Sequence, residues 1–422
     1  MSINWALCHE YAELISSYHI LPLQQTPISL LIASDKKLSP ETRLHVQFLT
    51  QRYITCVIKE TPWLKKMLQH VHRHLDLWKD LFKEPLNTLI NLALQHRASD
   101  IHLEPTASSV RLRFRIDGEL SEQTQLPLSV YPYLVNQIKT AGRLDIAEKR
   151  RPQDGRIYFQ SLSAPVRIST CPTSWGEKIV IRLFNFKPGD LSLTHLGLLP
   201  LQHTLFQQAL KKSQGLILVT GPTGSGKTVT LYAALTALKH YSLNIVTAED
   251  PIEIDMDGIQ QTAVKPELGL TFSALLRTFL RQDPDVIMVG EIRDSETAQM
   301  AVKAAQTGHL VLATLHTHRA THSLIRLLQL GVPAYYLAES LNLVITQRLV
   351  KKYSGPGRIG VFEILSITPD IAALLMNQAT AEHIEQHALK NGFLTLKQTL
   401  LEKSSLNQID KTEAHRLLGE LE

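Results

Sequence analysis

Short apolar runs alternate with helical stretches in the C-terminal half of the chain. They are Leu216–Thr220, Asn244–Ala248, Val286–Val289 and Leu310–Thr314. Apolar runs without polar alternation are typical of parallel strands that are buried on both faces. The pattern therefore predicts an α/β domain over residues 195–422, in which helices cover both faces of a parallel sheet. From residue 371 onwards the pattern is helical and amphipathic, with a break at Asn391-Gly392.

Residues 86–190 follow a different pattern. Leu86–Gln95 has the apolar periodicity of a helix. Three strands are predicted after it, at Val110–Ile116, Val166–Ser169 and Ile179–Leu183. The first of them alternates apolar and arginine residues, and Asp117-Gly118 behind it is typical of a two-residue hairpin turn. We therefore expect an α+β domain, which Lys187–Asp190 would link to the next one.

Residues 1–75 predict a small α/β module. Ala6–Ser17 is helix-like, and the apolar runs Ile28–Ile32 and Tyr53–Ile58 predict strands. The whole chain of 422 residues is long enough for several domains. We therefore expect three regions, with bounds at 1–75, 86–190 and 195–422.

Composition excludes several classes of protein. Hydrophobic residues make up 44% of the chain, which excludes wholesale disorder. The formal net charge of +5 is small for a protein that neutralises nucleic-acid phosphates, so no nucleic-acid partner is expected. The three cysteines are far apart and suggest a reducing compartment. No apolar run reaches the roughly 20 residues that a membrane span needs, so we expect a cytoplasmic protein that meets membranes only through partners.

A phosphate-binding loop follows the first of the apolar runs. It consists of Gly221, Pro222, Thr223, Gly224, Ser225, Gly226, Lys227 and Thr228, and it matches G-x-x-x-x-G-K-[ST] at every position. Glycines let successive N–H groups point at phosphate oxygens, and a helix N-terminus behind the loop favours the anion. Lys227 would reach the β- and γ-phosphates, and the Thr228 hydroxyl would bind Mg²⁺. The motif predicts a site for ATP with Mg²⁺.

Acids and histidines stand at the ends of the other predicted strands. Glu291 follows Val286–Val289, as in a Walker B strand, and Glu249 follows Asn244–Ala248. Ligands of doubly wound sheets bind at the carboxyl ends of strands, so both acids are candidates for catalysis, with capping of a helix or loop as the alternative for Glu249. His309 and His316 flank the last strand; each could sense phosphate or could be a core residue.

The order of these motifs resembles the secretion-ATPase superfamily, specifically the assembly ATPases of type II secretion systems and type IV pili. The matching segments are residues 221–228, Ala248–Glu253, Leu280–Asp294 and Thr307–Thr317, together with Ala98–Pro105 and Leu144–Arg156 upstream. The resemblance implies a RecA-like P-loop domain preceded by a PAS-like domain and an N-terminal module that docks onto a membrane-associated partner. It also implies a homohexamer that hydrolyses ATP and acts on an inner-membrane platform protein.

The resemblance also implies roles for individual residues. Arg156 and Arg167 match arginines of the PAS-like domain that close on the phosphates, and Arg277 and Arg281, before the Walker B strand, match further family arginines. The alternative for each arginine is a surface ion pair. Glu291 is our first choice for polarising the attacking water, and Glu249 would support the magnesium shell or the same water. His309 and His316 would relay phosphate occupancy to the domain interface.

One departure from the family pattern concerns zinc. Most assembly ATPases carry two C-x-x-C pairs soon after the Gln-Arg-Leu segment. Here Ile345–Val350 leads through the short loop Lys351–Gly357 directly to Arg358–Glu363, without a cysteine. We therefore predict no structural zinc. The leading hypothesis is a motor ATPase for a type IV pilus or competence pseudopilus; type II secretion is the alternative, followed by a nucleic-acid motor or a non-catalytic ring scaffold.

Overall fold

The computed structural model describes residues 5–69, 71–72, 84–159, 162, 165–184, 191–239 and 242–421. It divides into two compact units, residues 1–160 with 165–185 and residues 161–164 with 186–422. The predicted linker at 187–190 lies outside the described residues, and the division into three regions stays a prediction. Within the described part of the chain, no helix combines the length and apolar character that crossing a bilayer requires.

The first unit begins with a three-stranded sheet. Its strands are β1 (Leu21–Gln25), β2 (Ser29–Ser34) and β3 (Tyr53–Ile58), in the order β1-β2-β3, with β1 antiparallel and β3 parallel to β2. The helices are Trp5–Glu10, Ala12–Tyr18 and Pro40–Thr50, and residues 61–69 are also helical. Ser39 caps the third helix by accepting from Thr42 N, with Pro40 at the first helical position. The predicted helix Ala6–Ser17 is therefore two helices.

A six-stranded antiparallel sheet forms the rest of the first unit. Its strands are β4 (Asp100–Pro105), β5 (Val110–Ile116), β6 (Glu119–Leu126), β7 (Gln153–Ile157), β8 (Val166–Thr173) and β9 (Gly176–Arg182), in the order β6-β5-β4-β9-β8-β7. Helices Pro85–Gln95 and Tyr131–Ala141 accompany it. The predicted hairpin turn is confirmed, because Asp117 and Gly118 have φ angles of 50° and 93° between β5 and β6.

The second unit contains a seven-stranded sheet. Its strands are β10 (Gly215–Thr220), β11 (Ile245–Glu249), β12 (Gln260–Ala263), β13 (Val286–Val289), β14 (Leu310–Leu315), β15 (Leu341–Lys351) and β16 (Arg358–Ser366), in the order β12-β11-β13-β14-β10-β15-β16. The pairs from β12 to β15 are parallel, and β16 is antiparallel to β15. Every residue of β10, β11, β13 and β14 is buried. The predicted α/β fold with a parallel sheet is confirmed.

Helices surround this sheet. They are Pro200–Leu210, Lys227–Leu238, Phe272–Phe279, Ser295–Gln306, Ala320–Gln329, Ala334–Ser340, Pro369–Met376, Ala381–Lys390, Leu396–Ser405 and Lys411–Leu421. Short 3₁₀ turns lie at Leu193–His195 and Pro266–Leu268. The buried carboxylate of Glu363 in β16 accepts from Ala320 N at 2.6 Å and from Leu396 N at 2.9 Å. It therefore satisfies amides at the starts of two helices, which attaches both of them to the sheet.

Candidate nucleotide site

The phosphate loop joins strand β10 to the helix Lys227–Leu238. Gly221, Gly224 and Gly226 have φ angles of 141°, 77° and 88°, which side chains rarely allow. A Cβ on Gly221 would lie 2.6 Å from the carbonyl oxygen of Gln347 and 2.7 Å from Ser225 Oγ. The backbone is therefore as tightly folded as the motif predicts, and the helix presents its N-terminus to the loop.

Lys227 bends back over this loop. Its Nζ donates to the carbonyl oxygens of Gly221 at 2.8 Å and Pro222 at 3.1 Å. Burial lowers the pKa of Lys227 to about 8; nearby Glu291 opposes that shift and Arg348 adds to it. At pH 7 the ammonium group is still mainly protonated, so the loop carries a positive charge where phosphate oxygens would bind.

Glu291 stands at the carboxyl end of β13, two strands from β10. The preceding peptide is fixed on both sides, because Gly290 N donates to Ala248 O at 2.8 Å and Thr314 Oγ1 donates to Gly290 O at 2.5 Å. The carboxylate pairs with the Arg293 guanidinium through Oε1. Its Oε2 lies 3.6 Å from His316 Nε2. Glu291 is therefore held at the same edge of the sheet as the phosphate loop.

His316 occupies the end of β14, between β13 and β10. Burial lowers the pKa of its imidazole, and positively charged Lys227 lowers it further, whereas Glu291 raises it. The ring is neutral at pH 7 and keeps one nitrogen as a donor and one as an acceptor. The structure thus places Lys227, Glu291 and His316 together, as the sequence predicts for a phosphate site.

Glu249 ends strand β11 and is 3% exposed. Three side chains donate to its carboxylate: Tyr232 Oη at 2.5 Å, Thr247 Oγ1 at 2.6 Å and Gln261 Nε2 at 2.9 Å. Burial and the adjacent carboxylate raise the pKa of Tyr232, which keeps the phenol protonated as a donor. Since Tyr232 belongs to the helix that starts at Lys227, Glu249 is attached to the phosphate-loop helix.

The other predicted residues of the second unit have different partners. His309 precedes β14, and its Nδ1 lies 3.0 Å from Ala304 O. Because β14 and β10 are parallel and in register, six residues of strand separate His309 from the edge with the loop, a distance of about 20 Å. Arg277 pairs with Glu296 on the surface, and Arg281 donates to Arg277 O at 2.9 Å. The roles of these three residues stay predictions.

Arg156 and Arg167 belong to the first unit. They are direct cross-strand neighbours in the antiparallel pair β7–β8, which places both side chains on one face of the sheet. The Arg167 guanidinium also lies 5.5 Å from the centre of the Phe184 ring. Two arginine side chains on one face of the sheet provide positive charge that suits a phosphate ligand. Their action on the phosphates stays a prediction.

Four residues of the site were missed by the sequence reasoning. Tyr232 and Gln261 bind Glu249, Arg293 pairs with Glu291, and Gln347 contacts the phosphate loop. Arg293 could have been found, since it lies two residues beyond the acid and within the matched family segment. The other three are separated from their partners by loops or strands, so no local pattern marks them.

Comparison with known families identifies the kind of protein that carries this site. Residues 79–416, more than half of the chain, match the family model described as type II/IV secretion system protein. The chain belongs to that family. Its phosphate loop, Walker B acid and histidine strand all lie inside the matched residues, so the geometry above is that of a secretion-system ATPase.

Relatives extend the similarity over almost the whole chain. A protein transport protein HofB homolog of Haemophilus influenzae is 40% identical, over 98% of this chain and 94% of its own length. The type IV pilus assembly ATPase PilB of Acinetobacter baylyi is 36% identical, over 97% of this chain and 83% of its own length. The type II secretion system protein E of Pseudomonas aeruginosa is 39% identical, over 73% of this chain and 70% of its own length. The expectation of an ATP-hydrolysing member of the secretion-ATPase superfamily is confirmed.

Solved structures support the fold. The pilus retraction motor PilT with bound ADP is 28% identical, with a TM-score of 0.61 over 78% of this chain and 95% of that one. The ATPase DotB of Legionella pneumophila is 21% identical, with a TM-score of 0.66 over 79% of this chain and 95% of that one. The second likeness shows the fold alone. Together they confirm a RecA-like P-loop architecture.

Proposed function

We propose that this chain is a hexameric motor ATPase that powers the assembly of type IV pilus or competence pseudopilus subunits at the inner membrane. The observation that carries the proposal is the cluster of Lys227, Glu291 and His316 around an intact phosphate loop. Similarity to a pilus assembly ATPase over 97% of the chain supports it. Export through a type II secretion system is the alternative, since relatives from both machines match.

The residues at the loop fit ATP with Mg²⁺. The glycines leave the loop open to phosphate oxygens, and Lys227 supplies the positive charge. Thr228 is exposed on the first turn of the helix, where its hydroxyl would bind the metal. Bound Mg²⁺ would neutralise negative charge that develops on the phosphate oxygens.

Each acid of the site has a separate task in this proposal. Glu291 presents its carboxylate at the edge of the sheet, where it could accept a proton from water, while Oε1 pairs with the Arg293 guanidinium. Neutral His316 has its Nε2 3.6 Å from Glu291 Oε2, and its ring keeps one nitrogen as a donor and one as an acceptor. Glu249, which already accepts three hydrogen bonds, positions the phosphate-loop helix and the strands beside it.

The proposed motor needs residues from both units of the chain. Arg156 and Arg167 of the first unit would stabilise the charge on the transferred phosphate, which is worth about 10³–10⁵ in turnover for an arginine finger. Hydrolysis would then change the contact between domains and drive a hinge motion in the ring. We infer that the work is done from the cytoplasmic side, through an inner-membrane platform protein and a membrane-associated docking protein that binds residues 1–75.

Genetic complementation tests the proposal in the bacterium that encodes the chain. A strain that lacks the gene should regain surface pili or natural transformation with the wild-type gene, and should not regain them with Glu291→Gln. Recovery of exoprotein secretion instead would establish the type II alternative. In parallel, the native mass of the purified protein with Mg²⁺ and ATP should correspond to six chains. A monomer at every concentration would contradict the ring.

A further inference from the structure

Gln347 of strand β15 joins the phosphate loop to the neighbouring strand. Its side chain is buried, with 1% of the residue exposed. The amide Nε2 donates to Ser225 O of the loop at 2.6 Å, and Oε1 accepts from Thr230 Oγ1 on the following helix at 2.7 Å. A single side chain therefore holds both the loop and the first turn of its helix.

The bond to Ser225 O determines where the next amide points. The peptide between Ser225 and Gly226 is planar and trans, so its C=O and N–H groups point in opposite directions. Because the carbonyl points at Gln347, the Gly226 N–H points away from β15. In a phosphate loop the successive backbone N–H groups form the concavity that binds phosphate oxygens, so the direction of each N–H decides whether it can take part.

The same residue limits the volume beside the loop. A Cβ on Gly226 would lie 3.2 Å from Gln347 Nε2, and a Cβ on Gly221 would lie 2.6 Å from the Gln347 carbonyl oxygen. The loop therefore packs against Gln347 at both of its ends. Two glycines of the motif are required here partly because this strand approaches so closely.

We propose that Gln347 is a positioning residue for phosphate binding: its amide orients the Ser225–Gly226 peptide so that the Gly226 N–H faces the nucleotide. The inference rests on ATP binding at this loop. Gln347 itself does not touch the phosphate in this account. It acts on phosphate affinity from a strand outside the motif.

The test compares affinities for a fluorescent ADP analogue, mant-ADP with Mg²⁺, in purified full-length variants. Gln347→Glu keeps the length and the acceptor for Thr230 but places an oxygen against Ser225 O. Gln347→Met keeps the size and removes both bonds. Loss of one oriented hydrogen bond is worth about three- to tenfold in affinity. The dissociation constant of each variant should therefore be at least about threefold higher than that of the wild type.

Thr346→Val is the matched control. Thr346 lies next to Gln347 in β15, is also buried, and shares a hydrogen bond of 2.7 Å with Thr220 Oγ1 rather than with the loop carbonyl. The Thr346→Val variant should lower the midpoint of thermal unfolding as the Gln347 variants do, and should leave the affinity for mant-ADP unchanged. If affinity follows the unfolding midpoint in all three variants, or if both Gln347 variants bind like wild type, the proposal is overturned. Failure of the wild type to bind would instead contradict the ATPase assignment.

Discussion

The charge of Lys227 in the phosphate site depends on its burial. Burial brings its pKa to about 8, within the range of ordinary buffers. Below that pH the ammonium group is protonated and attracts phosphate, and above it the free protein loses the charge. A bound phosphate favours the charged form, so binding above pH 8 must take up a proton.

We therefore expect mant-ADP affinity to be constant from pH 7 towards 8 and to weaken at higher pH, approaching about tenfold per pH unit. The measurement is the dissociation constant of the wild type at several pH values up to 9.5, at fixed ionic strength. Lys227→Arg is the control, because a guanidinium group stays protonated throughout. Equal slopes for wild type and variant would show that Lys227 does not titrate in this range.

The two acids of the site differ in what surrounds them. Glu249 is enclosed by Tyr232, Thr247 and Gln261, whereas Glu291 has an ion pair and a histidine at its edge. The strand pattern alone does not separate the two acids, because both follow apolar strands; only the family resemblance made Glu291 the first choice for the attacking water. Their hydrogen-bond partners come from other elements, and only the fold brings those elements together.

At the scale of elements, local pattern predicted the centre of the sheet well. The apolar runs at 216–220 and 286–289 lie within or coincide with β10 and β13, and the predicted break at Asn391-Gly392 separates two helices. Such runs are identifiable because nearly all of their side chains are apolar and buried. Strands β15 and β16 were missed, since their buried polar residues, such as Gln347 and Glu363, depend on distant partners.

The hairpin β15–β16 contains the loop in which the family resemblance would place cysteine pairs and in which this chain has none. Its tip, residues 352–357, and the end of β15 both contact the C-terminal segment. Tyr353 N in the tip donates to Gln408 O at 3.2 Å, and Lys351 N at the end of β15 donates to Glu413 Oε2 at 2.5 Å. Within the described ranges, no group of three or more His, Cys, Asp or Glu side chains could hold a metal ion. The tip thus contacts the segment just before the last helix, and the end of β15 contacts the last helix itself.

The absence of structural zinc stays a prediction that elemental analysis can test. The purified chain should contain far less than one zinc per molecule. Treatment with a strong chelator such as 1,10-phenanthroline should leave the midpoint of thermal unfolding unchanged, since no folding free energy comes from metal binding. Stoichiometric zinc, together with a lower midpoint after chelation, would contradict the prediction.

At the scale of the whole molecule, the phosphate loop and the arginine pair belong to different units. Lys227 lies in the second unit, and Arg156 with Arg167 lies in the first. In a ring, the arginines of one chain could complete the site of its neighbour. The proposed motor therefore predicts that two defective chains can repair each other.

Mixing two variants tests that prediction. Lys227→Ala and Arg156→Ala should each hydrolyse ATP at least about 10³-fold more slowly than wild type when alone. Chains that are mixed and allowed to exchange should recover a substantial fraction of wild-type turnover, because an intact loop then meets an intact arginine. A mixture no more active than its components would place the arginine and the loop of each site in the same chain, or remove the arginine from the reaction.

The central claim, an ATPase whose general base is Glu291, is tested most directly by Mg²⁺-dependent ATP hydrolysis of the wild type and Glu291→Gln, with mant-ADP affinity measured on the same samples. Glu267→Gln, an exposed glutamate of the same unit, is the control. We expect Glu291→Gln to bind nucleotide like the wild type while its turnover falls at least about 10²-fold. Equal turnover in the two proteins would contradict the role of Glu291, and binding without hydrolysis by the wild type, even with its membrane partners present, would contradict the motor.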